Sequence, residues 1–295
     1  MKNRKGLVSV ALAATIFAAG TSFVRQIEAP GEIIYPLEAF FGALVVTLAL
    51  VIQGRSARML VKWGPALIWL LFSGAMITAN NTCYILAVQK TTMAEATMSH
   101  YLGPVILSVL AGPIILGTKP TKRGLIAILM GFVGLLTILS DRFGSGFHFN
   151  AGLWFGLASA FFFALGLAAT KILDRYKIDP LVTVVYQNLT TVVLMTPWIY
   201  QFTSGAVKID STSLTLIGLV GTVVLGLGFL LLNRGAMDPS VKPTELGTIL
   251  YSEPVGAIYV ASLIYAEPLT APVLLGSIAI IMAGYLTFHE APAQS

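Results

Sequence analysis

The chain has little charge and almost no cysteine. Asp, Glu, Lys and Arg together make up 11% of its 295 residues, against about 25% in a typical globular domain. With 56% hydrophobic residues and a mean hydropathy of +0.85, a soluble fold could not cover the apolar surface, so the composition is that of an integral membrane protein. The single cysteine, Cys83, excludes an intrachain disulfide and leaves the redox compartment open. Among the histidines, His148 and His289 have no ligand partners at metal-binding spacing, so no metal is expected. HExxH, GxSxG, a P-loop and a dinucleotide fingerprint are all missing. No cofactor is therefore expected, and an ATP-driven pump is excluded unless another subunit supplies the nucleotide site.

What is present is a series of apolar runs, each near the length that crosses a bilayer. They fall at 7–24, 33–52, 64–88, 94–116, 125–140, 152–173, 181–200, 214–232, 244–265 and 271–288. The N-terminus, MKNRKGLVSVALAATIFAAG, imitates a secretory signal peptide, but further spans follow it and it is read as the first transmembrane helix. Breakers separate the runs: Ala29-Pro30-Gly31, Asp141 to Gly146, Asp179-Pro180, Asp238-Pro239 and Glu267-Pro268. With the N-terminus in the cytoplasm, all but four of the 18 basic residues fall on the inner side, the exceptions being Arg25, Lys90, Arg142 and Lys208. That bias predicts ten helices with both ends cytoplasmic in the cell (inner) membrane. It also gives the net charge of +5 a topological meaning, with no support for a nucleic-acid partner.

The chain repeats itself weakly. GLVSVALAATIFAAG from Gly6 aligns on GLWFGLASAFFFALG from Gly152, and AEATMSHYLGP (Ala94–Pro104) aligns on TELGTILYSEP (Thr244–Pro254). Both offsets are close to half the chain, predicting a five-helix repeat over 1–148 and a second over 149–295. Five is odd, so the second repeat enters the membrane from the opposite side. Inverted repeats of this kind build secondary transporters, with the substrate site near the midplane. The 5+5 arrangement, YLGPVILSVLAGPIILGTKPT and SEPVGAIYVASLIYAEPLT resemble the drug/metabolite transporter superfamily, EamA type. EATMSHYLGP is similar to the pattern of the YddG-like amino-acid exporter branch. The chain departs from the resemblance in its second helix, where many members carry an arginine and this chain has Glu38 or its neighbours.

The candidate site starts from Glu253, in ILYSEPVGAIY. No other charge occurs from Leu246 to Ala266, and an ionised group mid-span costs roughly 2.5–3.5 kcal/mol on insertion scales. Pro254 has no N–H for the Leu250 carbonyl, so a bend with a bare acceptor is expected. Such a helix must face protein or a cavity rather than lipid. Glu253 is then either a protonated acid bonded to a neighbouring helix or, as preferred here, a proton-coupling or substrate-contact residue. Glu38, two residues after Pro36 near the outer end of its helix, is an interfacial carboxylate or a substrate site. Thr97, His100, Tyr101 and Pro104 share one helical face. Asn81 and Tyr84, with Asn80, form a polar strip that lines a pocket or glues helices. Phe163 is the best stacking candidate among Trp154, Phe161 and Phe162, because its repeat partner Phe17 is also aromatic. Tyr101 and Tyr251 are expected to line one cavity from opposite halves, with Pro104 and Pro254 as hinges. Glu95, three residues after Thr92, and Glu245, after Pro243, read as helix-start acids.

The expected function is a secondary transporter of small polar metabolites by alternating access. Amino acids come first, from the YddG-like pattern and the tyrosines. The alternative is a carrier of cationic amines, held in a cage of Tyr84, Tyr101 and Tyr251 around Glu253. An intramembrane enzyme ranks lower, since only Glu253 and His100 could pair, and a channel would need a ring of like groups. The expected partners are a small-molecule substrate, membrane lipid and protons. One chain suffices for function, and a dimer is compatible with it.

Overall fold

The computed structural model describes residues 4–24, 26–140, 150–266 and 268–289, and all regular structure among them is helical. The helices are α1 (Lys5–Val24), α2 (Gly31–Ile52), α3 (Pro65–Lys90), α4 (Met93–His100), α5 (Gly103–Ile106), α6 (Lys122–Leu139), α7 (Ala151–Ile172), α8 (Pro180–Leu194), α9 (Thr196–Thr203), α10 (Ser211–Val220), α11 (Phe229–Ala236), α12 (Pro243–Leu250), α13 (Ser252–Tyr265) and α14 (Ala271–Phe288). Wider π-helical turns continue α5 through Leu107–Leu116 and join α10 to α11 through Gly221–Gly228. Every expected apolar run lies on these helices to within a few residues. Eight stretches are long and apolar enough to cross a membrane: α2, α3, α6, α14, Met93–Leu116, Ala151–Tyr176, Ser211–Ala236 and Pro243–Tyr265. Two shorter apolar helices, Lys5–Gly20 and Pro180–Leu194, fall below that length. Arg25, Arg142, His148, Glu267 and the Asp141–Gly146 turn lie outside the described residues.

Proline sets the interruptions. Its ring collides with the carbonyl four residues earlier and it lacks an N–H. Pro104 follows the break between α4 and α5, Pro254 that between α12 and α13, and Pro197 that between α8 and α9. The Asn188 side chain donates to the Leu225 carbonyl, in the π-helical stretch, at 3.0 Å, so a backbone acceptor released from regular helix is not left bare.

Polar contacts gather the helix ends into two groups. At one end Arg4 pairs with Glu245 at 3.1 Å. There Lys171 Nζ donates to the carbonyls of Ala236 and Asp238 at 3.2 and 3.0 Å, and Arg55 and Arg58 pair with Asp179. At the other end Glu28 N donates to Ser213 Oγ and Asn150 to Thr91 Oγ1. Asp210 caps α10 there, and hydrogen bonds from the Ser213 hydroxyl and the backbone hold its carboxyl below the usual carboxylate range. Tight helix contacts also place the site. A Cβ on Gly152 would fall 2.6 Å from Thr91 Cβ, and one on Gly156 2.8 Å from Ser99 Cβ. Those two glycines therefore let α7 lie directly on α4.

Candidate functional site

A cavity of about 300 Å³ opens between α1, α2, α3, α4, α7, α10–α11 and α13. Of the residues expected at the site, Glu38, Asn81, Tyr84, His100, Phe163 and Glu253 line it. Toward the Arg4–Glu245 end it is closed by packed apolar residues, among them Leu7, Val10, Leu107, Leu167, Leu232 and Leu250. Among the described residues that line it there is neither Lys nor Arg.

α4 and α7 build one wall. His100 Nδ1 lies 2.8 Å from Ser159 Oγ, and Ser159 donates to Asn80 Oδ1 at 2.9 Å. With its proton committed to Asn80, Ser159 accepts from His100 Nδ1–H, which leaves Nε2 as the free ring nitrogen. The imidazole is boxed in by Tyr84, with ring centroids 4.7 Å apart, and by Phe163 at 5.6 Å. Thr97 stands behind this wall, its hydroxyl 3.3 Å from the Tyr84 hydroxyl.

α13 brings Glu253. The break at Tyr251 starts a new helix, so the acid lies in the first turn of α13, where the helix dipole favours negative charge. Mid-span position is thus relieved by a helix start that the sequence reading did not include. The Tyr101 hydroxyl lies near the Glu253 carboxyl.

α2 brings Glu38, and here the structure separates two expected alternatives. α2 begins at Gly31, two residues before the expected run, so Glu38 is two turns in, buried and on the cavity wall, which fits the site alternative and not the interfacial one. Tyr35, one turn earlier, also lines the cavity. Its hydroxyl accepts from Asn81 Nδ2 at 3.1 Å and lies 3.3 Å from Thr191 Oγ1.

The two tyrosines expected to face each other across the cavity do not line it. Tyr251 is wholly buried, its ring against Phe132 and its hydroxyl donating to the Tyr101 carbonyl at 3.0 Å. Tyr101 packs in the same apolar cluster and reaches the site only through its hydroxyl. The break after His100 ends the helical face that was to carry Thr97, His100, Tyr101 and Pro104 together. The cage of three tyrosines around Glu253 is therefore reduced to Tyr84, with Tyr101 at second remove. Pro104 and Pro254 are both buried just past the breaks.

Glu95 and Glu245 hold helix starts, as expected. Glu95 completes a capping box with Thr92, and Glu245 accepts from Lys242 N at 2.8 Å as well as pairing with Arg4. Trp154 and Phe161 are exposed on the outer surface. The sequence reading missed Tyr35, Phe17 and Phe229 as lining residues. Tyr35 carries a signal, an aromatic one turn before Glu38, and Phe17 another through its repeat match to Phe163; Phe229 carries none.

The arrangement offers two carboxyls, one imidazole nitrogen and several ring faces inside an apolar shell, which suits reversible binding of a small organic cation. Among the described residues no group of three His, Cys, Asp or Glu could hold a metal ion.

A model of the EamA-like transporter family matches twice, at residues 4–140 and 150–288. An uncharacterized transporter of Archaeoglobus fulgidus is 28% identical over 284 residues, covering 96% of each chain. Protein RarD of Salmonella typhi is 28% identical over 118 residues, 40% of each chain. A solved crystal structure superposes with a TM-score of 0.80 over 96% of both chains at 17% identity, a likeness of fold alone.

Proposed function

The chain belongs to the EamA-like transporter family, and from that premise we propose that it is a secondary transporter of small polar metabolites bearing a protonated amine. The observation that supports this reading is the charge of the cavity: Glu38 and Glu253 on its walls and no Lys or Arg among the described lining residues. An ammonium group would be held by a carboxylate and by ring faces such as Tyr84 and Phe163. An amino acid would gain the same at its ammonium end, but its carboxylate would meet no fixed cation. Asn81 already donates to Tyr35 and to the Ile77 carbonyl, and His100 Nδ1 is engaged with Ser159. Amines therefore rank ahead of amino acids, reversing the order drawn from the sequence.

The proposal includes ten crossings, with α1 and the α8–α9 pair added to the eight longer stretches, and halves 1–148 and 149–295 inverted in the cell membrane. Its support is the alternation of helix ends between two groups and the basic residues concentrated at the Arg4 end, which is assigned to the cytoplasm. The cavity then faces outward above an apolar seal, and alternating access consists of opening that seal while the outer end closes. Glu253, in the first turn after a proline-set break, is the residue assigned to proton coupling. One chain holds the whole cavity, which supports a monomer as the working unit.

Counterflow in proteoliposomes tests the substrate class. Labelled butylamine should exchange, and it should do so more readily than neutral amino acids or nucleosides; exchange of nucleosides alone would reject the reading. Orientation is tested separately in a Cys83→Ser background, where Ser204→Cys should label from outside and Ser56→Cys should not. The reverse pattern would invert the assignment.

A further inference from the structure

Glu38 gives the cavity one carboxyl more than a single ammonium group needs. The residue is 7% exposed, and Oε1 is the one buried side-chain nitrogen or oxygen without a hydrogen-bond partner among the described residues. An orphaned carboxyl oxygen in an apolar surround is costly, and this one lies on the cavity wall. No side chain among the described residues donates to it, so the cavity is where a partner can be supplied.

Glu253 is a separate anionic centre. Tyr35 lies in the field of Glu38, whereas Tyr84 and Tyr101 lie in that of Glu253. The two acids come from different walls, α2 and α13. Much of the remaining lining is apolar, including Phe17, Ile77, Phe163, Val224 and Phe229. A substrate with one ammonium group would satisfy one carboxyl and leave the other buried and unpaired, at a cost that a second ammonium removes.

We propose that Glu38 and Glu253 form a two-point anchor, so that the preferred substrate of this cavity is a short alkyl diamine with an ammonium group at each end. The inference rests on the amine reading above and adds a second cationic group, with a methylene stem lying along the aromatic and aliphatic wall.

The experiment compares putrescine with butylamine, which share a four-carbon stem and differ by one amine. Purified protein in proteoliposomes is assayed by competition against labelled butylamine. Putrescine should compete at least about tenfold more tightly than butylamine, because its second ammonium pairs a buried charge. In Glu38→Gln the putrescine-to-butylamine ratio should fall to about one, while Glu253→Gln should weaken both ligands. If Glu38→Gln does not reach the membrane, Glu38→Asp decides, since withdrawing the carboxyl by one methylene should shift preference from putrescine to the longer cadaverine. Equal competition by putrescine and butylamine in the unaltered protein would overturn the two-point anchor and leave the amine reading standing. A putrescine preference that survives Glu38→Gln, or that Glu38→Asp leaves unmoved, would overturn the role of Glu38. Exchange of neither amine would remove the amine reading itself, and the inference with it.

Discussion

Two breaks in two helices, one in each half, make the most instructive comparison in the molecule. α4 ends at Tyr101 and α12 ends at Tyr251, each after eight helical residues and with similar backbone angles at the tyrosine. Each tyrosine is followed three residues later by a buried proline. The chemistry at the two breaks differs. Position 103 is glycine, with a Cβ there falling 2.7 Å from Phe163 Cδ1, whereas its counterpart at 253 is the glutamate on the cavity wall. His100 faces the cavity, while its counterpart Leu250 belongs to the apolar seal. Even the tyrosines diverge: Tyr251 anchors the backbone of the other break, and the Tyr101 hydroxyl lies near Glu253. The same backbone event is used twice, once to present an acid and once to present an imidazole.

That contrast can be broken by substitution, and the largest effect belongs to the acid. Glu253→Gln keeps the shape and removes the charge. It should lower proton-gradient-driven amine uptake by about 100-fold, as expected for loss of one partner of a buried charge pair, while counterflow survives better because it needs no net proton movement. Full gradient-driven uptake in this variant would return Glu253 to the role of a structural hydrogen-bonding group beside a bend.

The mirror position should respond in stability. Gly103→Ala forces a methyl group against Phe163 and the Ala160 carbonyl. An overpacking cost of about 1–3 kcal/mol follows, read as a lower unfolding temperature in detergent. Selectivity among amines should stay as it was; a selectivity change with no loss of stability would mean that the first break also contacts substrate.

The tyrosines separate the two roles more finely. Tyr251→Phe removes the donor to the Tyr101 carbonyl and should cost about 1 kcal/mol of stability. Tyr101→Phe should instead alter transport, because the hydroxyl it loses faces Glu253. Equal stability losses with unchanged transport in both would erase the distinction. The smallest effect is expected at Thr92, whose hydroxyl caps α4 at the position where α12 has Lys242. Thr92→Ala should cost about 1 kcal/mol and leave counterflow intact.

Much of the scaffold was legible in the chain. Apolar runs located the helices, prolines 104 and 254 located two breaks, and Thr92–Glu95 spelled out a capping box. Glu253 stood out because a lone acid in an apolar run has few places to go. What depends on tertiary placement was hidden. Glu38 reads equally as an interfacial carboxylate or a site acid until its burial on the cavity wall is seen, and its missing partner can be known only from what surrounds it. Tyr251 looks like pocket lining by its repeat match, yet Gly131 lets its ring sink against α6: a Cβ there would lie 2.6 Å from Tyr251 Cδ2. The break after His100 separates residues that a continuous helix would have kept on one face.

The most direct measurement is competition in counterflow. Proteoliposomes holding the unaltered protein exchange labelled butylamine against unlabelled amines or neutral amino acids outside. A cavity with two carboxyls and no Lys or Arg among its described lining residues should exchange butylamine, be competed by other amines, and be little affected by neutral amino acids. Exchange of neutral amino acids with no exchange or competition by amines would contradict the account.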